Sequence, residues 1–126
     1  MSDAPPARQP RAVEIKADGD MIAAKIIGPV IEANRAQIIL DDVGKAIDDA
    51  GSGLRFMVLD FDEVTFINST GIGTCLQLGA RVKAQAARPI LYRLTSDVNE
   101  ILTRCKVDSI YTIVQSQAEL AKILAD

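Results

Sequence analysis

The sequence predicts an α/β fold: a mostly parallel, mixed sheet of about four to five strands with helices packed against it. Three observations lead there. Strand-like and helix-like segments alternate along the chain, and parallel strands need helical crossovers between them. The run from Leu54 to Asp60 is almost continuously apolar, as a strand covered on both faces is. The chain has 126 residues, 48% of them hydrophobic and 25% charged. That is the size and composition of one ordinary globular domain with a sizeable core.

The elements follow in order. Residues 1–11, with Pro5, Pro6 and Pro10 among polar neighbours, read as a disordered tail. The domain is expected over residues 12–126. Ala12 to Ala17 alternates apolar and polar, Asp18-Gly19-Asp20 is a turn signal, and Met21 to Ile27 is a second strand, so the pair forms a hairpin. Gly28-Pro29 ends it. From Glu32 to Ala50 apolar residues recur at helical steps: Ala36, Ile39, Leu40, Val43, Ile47 and Ala50 share one face. Asp41, Asp42, Lys45, Asp48 and Asp49 take the solvated face, and Gly51-Ser52-Gly53 stops the helix.

After the central strand come an acidic turn and a second helix over Ser69 to Ala87. Its inner face is read as Ile72, Cys75, Leu76, Gly79, Val82 and Ala86, with Arg81, Lys83 and Gln85 facing water. Gly79 lowers helix propensity, which points to close packing against a neighbour. Ile90 to Leu94 is a core strand, and Thr95-Ser96-Asp97 offers caps for a helix carrying Val98, Ile101, Leu102 and Cys105 inward. Ile110 to Val114 is a further strand. Ser116-Gln117-Ala118-Glu119 is a capping box for a last helix that packs Leu120, Ile123 and Leu124 inward. The expected order is β-β-α-β-α-β-α-β-α.

Composition also excludes functions. With no histidine in the chain, Ser-His-Asp and Cys-His catalysis and every histidine metal site are ruled out. Cys75 and Cys105 fall in apolar helical patterns. They read as buried, reduced thiols of a cytoplasmic protein, with a disulfide or a reactive thiol as the alternatives. Two cysteines alone cannot build a structural zinc site. The net charge of −3 argues against a general nucleic-acid binder, and no apolar run is long enough for a membrane span. The carboxylates at Asp41/Asp42, Asp48/Asp49 and Asp60/Asp62/Glu63 lie on a wet helix face or in a turn. General acid–base work instead needs groups in contrasting surroundings around a pocket. No catalytic residue, metal or cofactor is therefore expected.

The stretch Asn68-Ser69-Thr70-Gly71-Ile72-Gly73 stands apart. Asn and Ser are good N-caps, which is role enough for them at a helix start. An exposed hydroxyl there is also a plausible phosphorylation target, because the helix dipole accommodates added negative charge. Gly71-Ile72-Gly73 is not a nucleotide fingerprint: no lysine follows in a P-loop pattern, and Leu76 breaks G-x-G-x-x-G.

From Val58 through Asp60 and Asn68-Ser69-Thr70-Gly71-Ile72-Gly73, the sequence resembles a STAS domain, the family of bacterial anti-sigma-factor antagonists. Ile90 to Leu102 and Lys106 to Tyr111 resemble the family's later strand, loop, helix and turn. The resemblance implies a non-enzymatic, protein-binding regulator of transcription that works by partner switching. Its partners would be an anti-sigma factor with serine kinase activity and a serine phosphatase. It implies phosphorylation at Ser69, with Thr70 the neighbouring alternative. It further implies a contact surface of Asn68, Ser69, Thr70, Gly71, Ile72 and Gly73 together with Thr95, Ser96, Asp97 and Val98. The chain departs from the family pattern twice. Asn68 stands where the motif has Asp, and Ile31, followed by Glu32, stands where an Asp is usual. Both changes remove negative charge near Ser69. The alternatives are an unphosphorylated scaffold subunit of a signalling assembly and a small-ligand (nucleotide) sensor. Oligomeric state is not legible from the sequence.

Overall fold

The computed structural model describes residues 11–125. The expected tail lies outside them apart from Arg11. Strands β1 (Val13–Asp18) and β2 (Met21–Ile26) form the antiparallel hairpin, turning at Gly19, whose φ of +62° suits glycine. A two-residue strand β3 (Val30–Ile31) precedes helix α1 (Ala33–Ala50). Strand β4 (Phe56–Asp60) leads to a second two-residue strand, β5 (Phe66–Ile67), and then to helix α2 (Ser69–Ala84). Strand β6 (Arg88–Tyr92), helix α3 (Ser96–Arg104), strand β7 (Thr112–Val114) and helix α4 (Gln117–Ala125) complete the chain.

The main sheet has five strands in the order β1-β2-β4-β6-β7, and every pairing except β1–β2 is parallel. β4 is the middle strand, as its unbroken apolar run requires. Alternation along it divides the core. Met57 and Leu59 pack toward α1, α2 and α3, while Phe56 and Val58 belong to a smaller cluster with Ile90 and Val114, under α4. Outside this sheet, β3 and β5 pair in parallel, a pairing that two-residue segments do not announce by any periodicity.

Several expectations need correction. α2 ends at Ala84 rather than Ala87, and Ala86 is exposed at φ +60° beyond it. The inner face of α2 is Gly71, Thr74, Cys75, Leu78, Gly79 and Val82. Ile72 and Leu76 are half-buried at its edges. Arg81 and Gln85 do not simply face water. Arg81 reaches α1, donating to the Gly44 carbonyl at 3.2 Å and to Asp48 at 2.8 Å, and Gln85 donates to the Ile47 carbonyl at 3.4 Å. Cys105 is exposed, because α3 stops at Arg104 and Lys106 turns left-handed at φ +62°, taking the thiol off the helix's apolar face. Cys75 is buried, and burial pushes its thiol up to about 12. The last strand begins at Thr112 because residues 107–109 form a turn of 3₁₀ helix.

Gly79 behaves as its sequence context predicts. A Cβ there would lie 2.7 Å from both Ile110 Cγ2 and Tyr111 Cε1. The Tyr111 hydroxyl donates to the Cys75 carbonyl at 2.6 Å, one turn earlier on α2. The glycine therefore lets the Tyr111 ring lie against the helix backbone.

Candidate functional site

The Asn68–Gly73 segment sits where parallel strand β4 delivers the chain, at the carboxyl end of the sheet. In open α/β sheets the crevices beyond that end carry function. The approach is held tightly. The Asp60 carboxylate accepts from the Asp62 amide at 3.0 Å, which starts the turn. It also takes a two-pronged contact from Arg93, with Nε at 3.1 Å and Nη2 at 2.5 Å. That contact raises the Arg93 pKa and ties the end of β4 to the end of β6. Arg93 itself lies at φ +61°, a costly conformation for a non-glycine residue. Glu63 accepts from the Gly28 amide at 3.0 Å and pairs with Lys25 at 3.3 Å. The Gly28 hydrogen bond first, then Lys25, hold its carboxyl below the usual range.

The β3–β5 pair positions the helix start. The Thr65 and Phe66 amides donate to the Pro29 carbonyl at 2.8 and 2.9 Å, and the Asn68 amide donates to the Ile31 carbonyl at 3.2 Å. Asn68 is the N-cap of α2, its side-chain oxygen accepting from the Gly71 amide at 3.0 Å. Ser69 and Thr70 follow, both exposed. Gly71 is buried, and a Cβ on it would fall 2.7 Å from Ile67 Cγ1 and 2.8 Å from Ile31 Cγ2. The glycine seats the helix start on the two short strands. Gly73 has open space around its Cβ position, so no neighbouring chain atom requires a glycine there.

The second predicted segment lies alongside. Thr95 caps α3, accepting from the Val98 amide at 3.2 Å. Ser96 and Asp97 are exposed, whereas Val98 is fully buried. Of the expected contact residues, Gly71 and Val98 therefore support the surface from beneath. Between β5 and α3 lies a cleft of about 320 Å³, lined by Thr65, Phe66, Asp97, Glu100, Ile101 and Arg104; of the expected contact residues, Asp97 alone lines it. Phe66, half exposed at 50%, is a residue that sequence reasoning missed. Its neighbour Ile67 points inward, and a strand of two residues is too short for alternation to show in the sequence which of them faces solvent.

No cluster of metal-ligating side chains occurs among the described residues. No helix among them is long and apolar enough to cross a membrane. The site thus offers a capped helix start, two exposed hydroxyls and a neighbouring cleft, an arrangement suited to contact and modification.

A family model for the STAS domain matches residues 12–120. The chain belongs to the STAS domain family. Solved structures agree on the fold. The unphosphorylated anti-sigma factor antagonist SpoIIAA is 15% identical with a TM-score of 0.69, covering 90% of this chain and 97% of its own. An anti-sigma factor antagonist from Mycobacterium paratuberculosis is 10% identical with a TM-score of 0.75, covering 90% and 93%. The murine anion transporter Slc26a9 is 16% identical with a TM-score of 0.59 over 71% of this chain, but only 14% of its own. No curated protein sequence matches the chain. At these identities the structural likeness carries the STAS fold alone.

Proposed function

We propose that this STAS domain is a regulatory protein-binding module of the anti-sigma-factor-antagonist type, switched by phosphorylation at Ser69. The observation that carries the reading is the placement of Ser69. It opens α2 exposed to solvent, and neither its hydroxyl nor that of Thr70 is engaged by another described residue. The first turn of α2 holds no acidic side chain, so no charge within that turn offsets the positive end of the helix dipole. A phosphoryl group on Ser69 would meet a favourable field and leave the fold intact while reversing the local surface charge. Asn68 caps the helix as Asp would, but without a charge beside the phosphate. The partner is then a serine kinase that sequesters a sigma factor, and a serine phosphatase resets the switch.

The reading is tested by incubating the protein with the serine kinase and ATP and locating phosphate by mass spectrometry. Modification is expected on Ser69, and its absence from both Ser69 and Thr70 would sink the switch. Ser69→Asp is expected to weaken kinase binding by about tenfold or more while Ser69→Ala preserves it, as like charges brought together in an interface cost several kcal/mol. Equal affinities would contradict the reading. One feature favours a second reading, an unphosphorylated scaffold subunit: Asn68 and Ile31 stand where the family carries acids. Sedimentation in the presence of candidate partners separates the two, since a scaffold stays assembled with or without ATP.

A further inference from the structure

At the opposite pole from Ser69, where β4 and β6 begin and α2 ends, a cleft of about 480 Å³ opens. Arg55, Lys83 and Arg88 line it, and no carboxylate does. Its apolar wall is Phe56, Pro89 and Ile110. The register explains the convergence. Phe56 pairs with Arg88 in the parallel β4–β6 ladder, and the Arg88 amide donates to the Arg55 carbonyl at 2.8 Å. Lys83 comes from the last turn of α2, and Ala86, at φ +60°, turns the chain back toward β6. Arg55 lies over the Phe56 ring at 5.2 Å and meets Asp20 at 3.4 Å from outside the cleft. Lys83 and Arg88 are exposed and make no ion pair with a described residue. A concentrated positive cleft on a chain of net charge −3 is the reverse of what composition leads one to expect.

We propose that this cleft is a second docking site, for an acidic segment of a partner protein. The charge count favours a peptide over a polynucleotide. Tight nucleic-acid binding draws on roughly six to ten phosphate contacts, whereas three cations line the cleft and the rest of the surface is net acidic. Carboxylates alternating with apolar residues match a cationic rim over an apolar wall, with arginine suited to forked carboxylate contacts. The site is independent of the Ser69 switch and at the far end of the same parallel strands.

The test uses the full chain, isotopically labelled, titrated with hexaglutamate and, separately, with oligothymidylate. Hexaglutamate is expected to shift the amides of Arg55, Phe56, Lys83 and Arg88, and to lose affinity as salt is raised. The double variant Lys83→Glu, Arg88→Glu is expected to lose about tenfold or more of that affinity, since like charges then face the ligand. Both residues are exposed, and an unchanged urea midpoint confirms that the variant folds. Ser69→Asp is expected to bind hexaglutamate as the unaltered chain does, so failure of the switch and failure of this site are read separately. The proposal is overturned if hexaglutamate shifts no amide in the cleft, if the double variant binds it equally, or if oligothymidylate binds there more tightly.

Discussion

The two faces of the central sheet are built to different standards. Toward α1, α2 and α3 the side chains of Ile22, Met57, Leu59, Leu78, Leu91 and Leu102 are almost wholly excluded from water. Gly71 and Gly79 bring elements together at distances that a methyl group would violate. Toward α4, Phe56, Val58, Ile90 and Val114 are buried, but the helix side chains Leu120, Ile123 and Leu124 are only half so. A trough of about 270 Å³ remains beside α4, with Met21, Ala23 and Val58 in its floor. The difference is one of area. α4 has nine residues, so it is about 13 Å long and 10 Å across, and such a helix covers roughly two strands of a sheet spaced near 4.8 Å. The site belongs to the tight face: α2 and α3, whose starts form it, are both anchored there.

Matched leucine truncations test the contrast most directly. Leu78→Ala, on the tight face, is expected to cost about 2–5 kcal/mol, and Leu120→Ala, half-exposed on the other, less than half as much. Urea unfolding measures both, and equal losses would erase the distinction. Gly79→Val comes next, at about 1–3 kcal/mol or more, because Ile110 and Tyr111 would have to shift. Gly71→Ala should cost about 1–3 kcal/mol and also disturb the Asn68 cap. A smaller effect is expected in the turn after β4. The Glu63 carboxyl is held below its ordinary range, so its contribution is present above the unfolded carboxylate value and lost as pH falls through the folded one. Glu63→Gln should flatten that acid-side decline in the urea midpoint. Asp49→Asn, which removes an exposed ion pair with Lys45, should leave the urea midpoint unchanged.

What was legible followed from local pattern. The apolar run of Leu54 to Asp60 marked the middle strand, and the caps at Asn68 and Thr95 marked the helix starts beside the site, because both signals lie within a few residues. What was not legible depends on residues far apart. Arg81 meets Asp48 and Arg93 meets Asp60 only after α1 and α2, or β4 and β6, have packed. The cationic cleft likewise joins Arg55 to Lys83 and Arg88. Cys105 was misread because its apolar spacing continues past the point where Lys106 turns the helix off.

The β3–β5 clip makes the site a joint product of two stretches of chain. Ile31, ahead of α1, supplies both a carbonyl for the Asn68 amide and a methyl against Gly71. Between these stretches the chain passes a single 3₁₀ turn, Gly51–Gly53, whose Ser52 and Gly53 are exposed, and exposed small, polar residues are where chains are most readily cut. A cut there would leave one fragment with Ile31 and the other with Asn68, Ser69 and Gly71, neither able to build the helix start alone. The helix start is thus assembled from two separate stretches, and its rebuilding on mixing the halves, read from the amide signals of Asn68 and Gly71, would report their reunion.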